Sequence, residues 1–199
     1  MKRNAFTLAE LLIVLIFIGT LSGLLVLSVK NKASSKSKLM YRKAFSTAER
    51  RIYEMINDEN AYPTSNGFKN SNKSEYKNAY FGGTTNTEKY SKFCKLFSYD
   101  LNTITKDDSC LVGNASNNHN WTTPAFVTSD GISWHMPVQD FSASNKYEIW
   151  VDTNYKDKPN CEYNATNCQR PDRFRIGFTY DGKVYAVGNI AQEYLTDNN

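Results

Sequence analysis

An acidic side chain inside an apolar stretch is the first place in this sequence where residue type and spacing indicate chemistry. Glu10 is the single charged residue between Phe6 and Val29, and Lys2 and Arg3 precede that run. A carboxylate in apolar surroundings needs a counter-charge, because its desolvation is costly. The sequence therefore predicts that Glu10 pairs with a positive group when the apolar run is buried.

The length of the apolar run indicates its environment. As an α-helix rising about 1.5 Å per residue, residues 6–29 cover a hydrocarbon core roughly 30 Å thick. The run continues to Val29 without an A-x-A cleavage pattern on its far side, which is not typical of a cleaved secretory signal. We therefore expect a transmembrane helix over 6–29.

The segment from Ala5 to Ile16, AFTLAELLIVLI, resembles the cleavage and methylation signature of type IV pilins and type II secretion pseudopilins. The resemblance implies that a prepilin peptidase removes the leader, residues 1–5, by cutting between Ala5 and Phe6, and that Phe6 is then N-methylated. Ala5 stands where the family usually has Gly. The implied fold is α+β and pilin-like: a long N-terminal helix, with a membrane-spanning half and an amphipathic half, packed on a C-terminal antiparallel β-sheet.

Cleavage before Phe6 gives Glu10 a specific partner. The new ammonium group at Phe6 and the Glu10 carboxylate of a neighbouring subunit can neutralise each other in apolar surroundings. Assembly of helices side by side then satisfies both groups and helps to set the subunit register. The alternative is an ordinary membrane anchor whose Glu10 snorkels to the interface near the helix end.

Four cysteines, at Cys94, Cys110, Cys161 and Cys168, indicate disulfides in an oxidising compartment. Three connectivities are open, and we favour the sequence neighbours. Closing the Cys94–Cys110 loop contributes about 3 kcal/mol in the chain-entropy model. Zinc is the alternative, but neither pair has zinc-type spacing, and the two histidines, His119 and His135, lie in separate segments.

Charge and cysteines disagree about topology. Six basic residues between Lys30 and Lys43 follow the apolar run and favour a cytoplasmic C-terminal side. The resemblance and the cysteines favour the opposite orientation. We expect a single-pass protein of the bacterial inner membrane, with its C-terminal domain in the periplasm or outside, which then enters a pilus or pseudopilus filament.

Oxygen-bearing side chains at Asp152, Asn154 and Asp157, with Asp172 further along, form a candidate calcium site, because oxygen ligands spaced along a loop suit that ion. The resemblance adds that major pseudopilins of type II secretion carry calcium in a comparable loop. An ordinary turn is the alternative, since Asp and Asn ahead of Pro159 are common turn formers and the Gly and terminal Glu of an EF-hand are missing.

A second modification signal lies between the last two cysteines. The segment Glu162-Tyr163-Asn164-Ala165-Thr166 fits the extended acceptor pattern of some bacterial N-glycosylation systems, with Asn164 as the acceptor. The pattern is short, and chance matches are common.

Residues 30–57 are expected to continue the helix as an amphipathic segment, because apolar residues recur every four positions. These are Met40, Ala44, Ala48, Ile52 and Ile56. Residues 58–199 are expected to form an extracytoplasmic α+β domain, loop-rich up to about Asn120. Two of the charges behind the net +4 lie in the leader, so 24 − 2 basic against 20 acidic residues leaves +2, and nucleic-acid binding is not expected.

Strand signals are confined to the C-terminal third. Short segments rich in aromatic and β-branched residues are bounded by Asp, Asn, Gly or Pro. They are 121–128, 131–138, 147–151, 173–180 and 183–187. Asp181-Gly182 joins the last two and predicts a type I′ hairpin turn.

No enzyme motif occurs in the sequence: a G-x-S-x-G elbow, a phosphate-binding glycine loop and an H-E-x-x-H pair are all missing. The resemblance implies a major or minor structural subunit of a type IV pilus or type II secretion pseudopilus. Its implied partners are other subunits, the peptidase and methylase, the membrane and an inner-membrane assembly platform. The alternative is a pilin-anchored surface binding module, such as an adhesin or uptake receptor.

Overall fold

The computed structural model describes residues 8–58, 61–62, 80–82, 89–104, 110, 121, 123–136, 146–179 and 181–196. The chain divides into two compact units, a first unit Met1–Lys36 and a second unit Ser37–Asn199. The leader and the predicted cleavage residues Ala5 and Phe6 lie outside the described residues.

Helix α1 comprises Leu8–Ile56 and has residues in both units. In the first unit, every described side chain from Leu8 to Gly23 is exposed. Leu and Ala are strong helix formers, and the two hydroxyl groups of this part bond to carbonyls of the preceding turn instead of competing with the helix. None of the side chains described from Leu8 to Gly23 belongs to the buried core described below.

The expected transmembrane span over 6–29 is contradicted. Among the residues that the structure describes, no helix has the length and apolar character needed to cross a bilayer. Such a helix requires an uninterrupted apolar stretch of roughly 20 residues. This finding also contradicts the pilin-type membrane anchor and the inner-membrane location that followed from the expected span.

The expected α+β, pilin-like fold is contradicted, because it has one long N-terminal helix packed on the sheet. α1 does not pack on the sheet as one long element, because its N-terminal part belongs to the first unit and is exposed. Its part from Ser37 onward lies in the second unit and, among the side chains described in α1, supplies the buried apolar ones. These are Tyr41, Ala44, Ala48, Ile52 and Met55. Their spacing of three and four residues gives one apolar face, which includes three members of the predicted stripe.

The second unit contains a five-stranded antiparallel sheet in which each strand pairs with the next one along the chain. The strands are β3 (Phe126–Val127), β4 (Ser133–His135), β5 (Lys146–Asp152), β6 (Arg173–Thr179) and β7 (Val184–Val187). All five fall on predicted strand segments, but β3 is much shorter than 121–128. Pro124 explains part of this difference, since it has no N–H to donate to a strand ladder.

The turn between β6 and β7 differs from the prediction. Thr179 N–H donates to the Lys183 carbonyl at 2.9 Å, so three residues lie between the closing pair. Gly182 N–H donates to the Thr179 carbonyl at 3.0 Å, and Gly182 has a φ of +82°. The type I′ turn is therefore wrong, because that turn has only two residues between its closing pair. A three-residue loop with glycine in the left-handed position takes its place.

Further elements in the second unit were not predicted from the sequence. They are the β1 (Tyr80–Gly82) and β2 (Lys89–Ser91) pair, helix α2 (Lys92–Ser98) and helix α3 (Asn189–Thr196). α2 buries Phe93, Cys94 and Phe97, and α3 buries Ala191. The spacing of Phe93 and Phe97 places both rings on one helix face.

Aromatic rings fill the core between the sheet, α2 and the second-unit part of α1. Phe93 stacks on Phe178 with ring centroids 5.1 Å apart, and Tyr41 lies 4.5 Å from Phe174. Phe174 and Phe178 alternate with outward-facing residues along β6, as a strand buried on one face requires. The opposite face of the sheet therefore carries the polar and charged positions discussed below.

Candidate functional site

The first unit presents apolar side chains on every face of α1. The eight consecutive residues from Leu11 to Ile18 are each 49 to 64% exposed, and Leu8 and Leu21 are exposed as well. Eight residues cover more than two helical turns, so no direction around the axis is polar. We call Leu8–Leu21 the apolar helix surface. A helix that is apolar all round is normally buried on all sides.

The hydroxyl groups within and next to this surface are compatible with burial. Thr20 Oγ1 donates to the Phe17 carbonyl at 3.0 Å, and Ser22 Oγ donates to the Ile18 carbonyl at 2.7 Å. Each hydroxyl therefore has a partner within its own helix and does not require water. A neighbouring helix can cover these positions without stranding a hydroxyl donor.

Glu10 lies in the first turn of α1 and is exposed. An acid at this position interacts favourably with the positive end of the helix dipole, which accounts for part of its presence. Its predicted partner, the Phe6 amine, lies outside the described residues, so their pairing stays a prediction. Glu10 is the acidic position among the described residues of the apolar helix surface.

Two disulfides join the pairs that we favoured from the sequence. Cys94 on α2 bonds to Cys110, and Cys161 bonds to Cys168, with Cα atoms 5.4 and 5.9 Å apart. The first bond is almost completely buried and belongs to the core. The second closes a short loop at the surface. Both therefore have a structural role.

The glycosylation candidate Asn164 is exposed in the loop closed by Cys161 and Cys168. The backbone turns here, with Ala165 N–H donating to the Glu162 carbonyl at 3.1 Å. The Glu162 carboxylate accepts a 2.9 Å hydrogen bond from the indole of Trp121. Asn164 is accessible, and its modification stays a prediction.

The four predicted calcium ligands are only partly brought together. Asp152 and Asp172 are buried, with 2% and 1% exposure, whereas Asn154 is half-buried and Asp157 is exposed. Burial raises the pKa of Asp152 to about 6, although hydrogen bonds from Arg173 and the Asn154 amide act in the opposite direction. Across the described residues, no three His, Cys, Asp or Glu side chains are grouped so that they could hold a metal ion.

Sequence reasoning missed a cluster of aromatic and arginine side chains on the outer face of the sheet. This outer-face cluster consists of Trp121, Trp150, Tyr163, Arg173 and Arg175. The Arg173 guanidinium lies 4.9 Å from the centre of the Trp121 ring, and Arg175 lies 5.3 Å from Trp150 and from Tyr163. The two indole rings are 5.2 Å apart. The cluster therefore places two cations beside three π-systems on this face of the sheet.

Acidic side chains neutralise both arginines. Arg175 Nη1 donates to Glu148 at 3.2 Å, and its Nη2 donates to the Tyr163 hydroxyl at 2.6 Å. Desolvation lowers the pKa of Arg175, but Glu148 and Tyr163 outweigh that effect and raise it above the ordinary value. Arg173 pairs with Asp152 at 3.0 Å. The cluster is therefore no free patch of positive charge for an anionic ligand.

A sequence signal for this cluster does exist. Arg173 and Arg175 are two residues apart in β6, so they share a face, and β5 places Asp152 and Trp150 opposite them. The strand register is needed to see this pairing. Trp121 comes from outside the described strands, so the alternation along β6 carries no information about it.

Comparisons with known proteins add no assignment: protein-family models, curated proteins and solved structures contain no match to this chain.

Proposed function

We propose that this chain is a structural subunit of a type IV pilus or type II secretion pseudopilus, which assembles with other subunits through the apolar helix surface. The observation that carries the proposal is the exposure of consecutive apolar side chains around the whole of α1 from Leu11 to Ile18. Such a surface is a strong driving force for association in water.

The distribution of these side chains favours several neighbours over one. A pair of helices covers a narrow apolar stripe on each partner, with two or three positions in every seven. Here the remaining positions are apolar too, and each buried Leu or Ile contributes about 1.5–3 kcal/mol. A bundle that surrounds the helix buries all of them, as the core of a filament would.

The N-terminal residues supply the second line of support. The segment from Ala5 to Ile16 resembles the prepilin cleavage and methylation signature, and Glu10 is placed as that signature requires. In the assembly that we propose, the Phe6 amine released by the peptidase pairs with Glu10 of a neighbouring subunit. This ion pair fixes the register that apolar contacts alone leave undefined.

N-terminal sequencing and intact-mass measurement of the protein from cells that produce it test the processing step. We expect a chain that begins at N-methylated Phe6. A chain that begins at Met1, or one cut beyond Val29, would show that it is not processed as a pilin-type subunit.

A matched pair of substitutions tests the assembly surface. Leu15 and Leu39 both belong to α1 and are 61% and 60% exposed, but only Leu15 lies in the apolar helix surface. We expect the Leu15→Glu variant to be missing from sheared filaments and the Leu39→Glu variant to be present in them. The two variants are compared at equal amounts of protein in the cells. Equal incorporation of the two variants would contradict assembly through this surface.

A further inference from the structure

Two buried carboxylates lie at the ends of the 152–172 segment. Asp152 is the last residue of β5, and Asp172 directly precedes β6. Both are almost completely inaccessible, with 2% and 1% exposure. Buried acids are costly unless hydrogen bonds or a counter-charge compensate them, so the source of that compensation determines what the segment can bind.

Backbone amides compensate Asp172. Its Oδ2 accepts a hydrogen bond from Asn160 N–H, and its Oδ1 accepts one from Cys161 N–H, both at 2.8 Å. These bonds fix the backbone at Asn160 and Cys161, where the segment runs back toward β6. Asn160 has a φ of +54°. Both oxygens of Asp172 are therefore already directed at donors of the protein itself.

Arg173 compensates Asp152. The Asp152 Oδ2 accepts a 3.0 Å hydrogen bond from Arg173 Nε, and its Oδ1 accepts one from Asn154 N–H at 3.1 Å. Arg173 Nη2 also donates to the Asn160 side-chain oxygen at 3.0 Å. The Arg173 guanidinium thus links Asp152, at the beginning of the segment, to Asn160, where the segment runs back toward β6. A bound cation would link them in the same way.

These donors do not fit calcium. A calcium ion needs six to eight oxygen ligands at about 2.3–2.6 Å. The carboxylates of Asp152 and Asp172 instead face N–H groups, and Asp157 is exposed. Asn154 Oδ1 is buried without a partner, but one amide oxygen is far from a calcium shell. A divalent cation at Asp152 would also be repelled by the guanidinium beside it.

We propose that Arg173 takes the place of a divalent cation in the 152–172 segment, so that this segment is held without metal. The predicted calcium site is then a closed ion-pair and hydrogen-bond network. Its positive charge is supplied by the residue next to Asp172 in the sequence.

The network reaches α1 through hydroxyl groups. Ser37 Oγ donates to the Pro171 carbonyl at 2.8 Å and lies 3.2 Å from Thr153 Oγ1, which donates to the Asp172 carbonyl at 3.0 Å. Within the second unit, Arg173 therefore stabilises the segment to which Ser37 of α1 is hydrogen-bonded.

Thermal unfolding of the full chain, followed by tryptophan fluorescence in calcium chloride or in EGTA, tests the proposal. We expect the wild-type midpoint to be the same in both solutions. Arg173→Met should lower the midpoint in EGTA by roughly 10 °C, as loss of one partner from a buried ion pair does. Calcium should then recover part of that loss, because Arg173 no longer repels an ion at Asp152 and the side-chain oxygens of Asp152 and Asn160 have lost their donor.

Arg175→Met is the matched control. Arg175 lies on the same strand and face and also contacts aromatic rings, but its acidic partner is Glu148 instead of the 152–172 segment. Its variant should be destabilised without recovery in calcium. Recovery of both variants, or of neither, would overturn the proposal.

The wild-type chain gives a result even if Arg173→Met does not fold. Titration of calcium into the wild-type chain in a calorimeter should give no binding heat. A higher wild-type midpoint in calcium, or saturable calcium binding that Asp172→Asn removes, would show that the segment is a metal site after all. Neither result depends on filament assembly, so the two proposals fail separately.

Discussion

Arg51 on α1 donates a 2.6 Å hydrogen bond from Nη2 to the backbone carbonyl of Leu96 in α2. Its Nε donates to the Phe97 carbonyl at 3.1 Å, and its side chain is only 7% exposed. The last carbonyls of a helix have no partner within that helix, so a buried guanidinium serves as the cap of α2. The cap joins a seven-residue helix, which is marginal alone, to a longer one.

Arg51→Met should lower the free energy of unfolding by about 3 kcal/mol, because buried carbonyls lose a charged donor. Urea unfolding followed by tryptophan fluorescence measures this, since Trp121, Trp134 and Trp150 all lie in the second unit. Arg50→Met is the control. Arg50 is exposed and lies 3.8 Å from Glu54, so its loss should cost under about 0.5 kcal/mol. Equal costs would contradict the capping role.

The pH dependence of stability should include a contribution from Asp130. Desolvation raises the pKa of Asp130, but hydrogen bonds from Lys43, Thr128 and the Ile132 amide outweigh it and lower the pKa below its ordinary value. The folded state then binds fewer protons than the unfolded state. This contribution is therefore present above the ordinary pKa and is lost as the pH falls through the folded-state value.

Asp130→Asn should accordingly reduce stability at neutral pH by up to about 1 kcal/mol, because Lys43 is largely exposed. The difference from wild type should disappear near pH 2, and denaturant titrations across this range measure it. Asp157→Asn, which removes one exposed surface carboxylate, serves as the control and should reduce stability at neutral pH less than Asp130→Asn does. A difference that persists in acid would show that packing, and not charge, is responsible.

Gly188 should be more sensitive to substitution than Gly131, although both have positive φ. A Cβ on Gly188 would lie 1.9 Å from the Tyr163 ring, whereas one on Gly131 would meet nothing within 4 Å. Gly131→Ala should cost about 1 kcal/mol from backbone strain alone. Gly188→Ala has the same backbone strain and must also displace the Tyr163 ring. This variant should therefore lose clearly more free energy of unfolding than Gly131→Ala. Similar losses would mean that the ring moves aside easily.

The Cys94–Cys110 bond should stabilise the chain more than Cys161–Cys168. It closes the longer loop, with a separation of 16 residues against 7, and is worth about 3 kcal/mol in the chain-entropy model. Its sulfur atoms also belong to the core. Replacing each pair by Ala and measuring urea unfolding without reductant checks the order. A larger loss at Cys161–Cys168 would contradict it.

Sequence patterns predicted the strands of the sheet, because each pattern depends only on residues that are neighbours in the sequence. Alternation placed Phe174 and Phe178 on the buried face of β6, and glycine after Asp181 marked a hairpin. The turn type was missed because a two-residue and a three-residue loop share the same Asp-Gly signal. The outer-face cluster was missed because it depends on which residues of β5 lie opposite Arg173 and Arg175.

The predicted calcium ligands show another limit of the sequence. The spacing of Asp152, Asn154 and Asp157 suits a metal and suits a turn equally well. Only the fold shows that Arg173 faces Asp152 and that amides face Asp172. The length of the apolar run likewise predicted a bilayer span, which the described residues do not provide. In both cases the side-chain types alone do not define what surrounds them in the fold.

The short loop closed by Cys161 and Cys168 has a consequence for limited digestion. Residues 164–167 at its tip are exposed and therefore open to a protease. A cut there separates the chain into two peptides that the sulfur–sulfur bond still links. The nicked protein should migrate as one band on a gel without reductant and as two bands with it, while β5 and β6 remain paired.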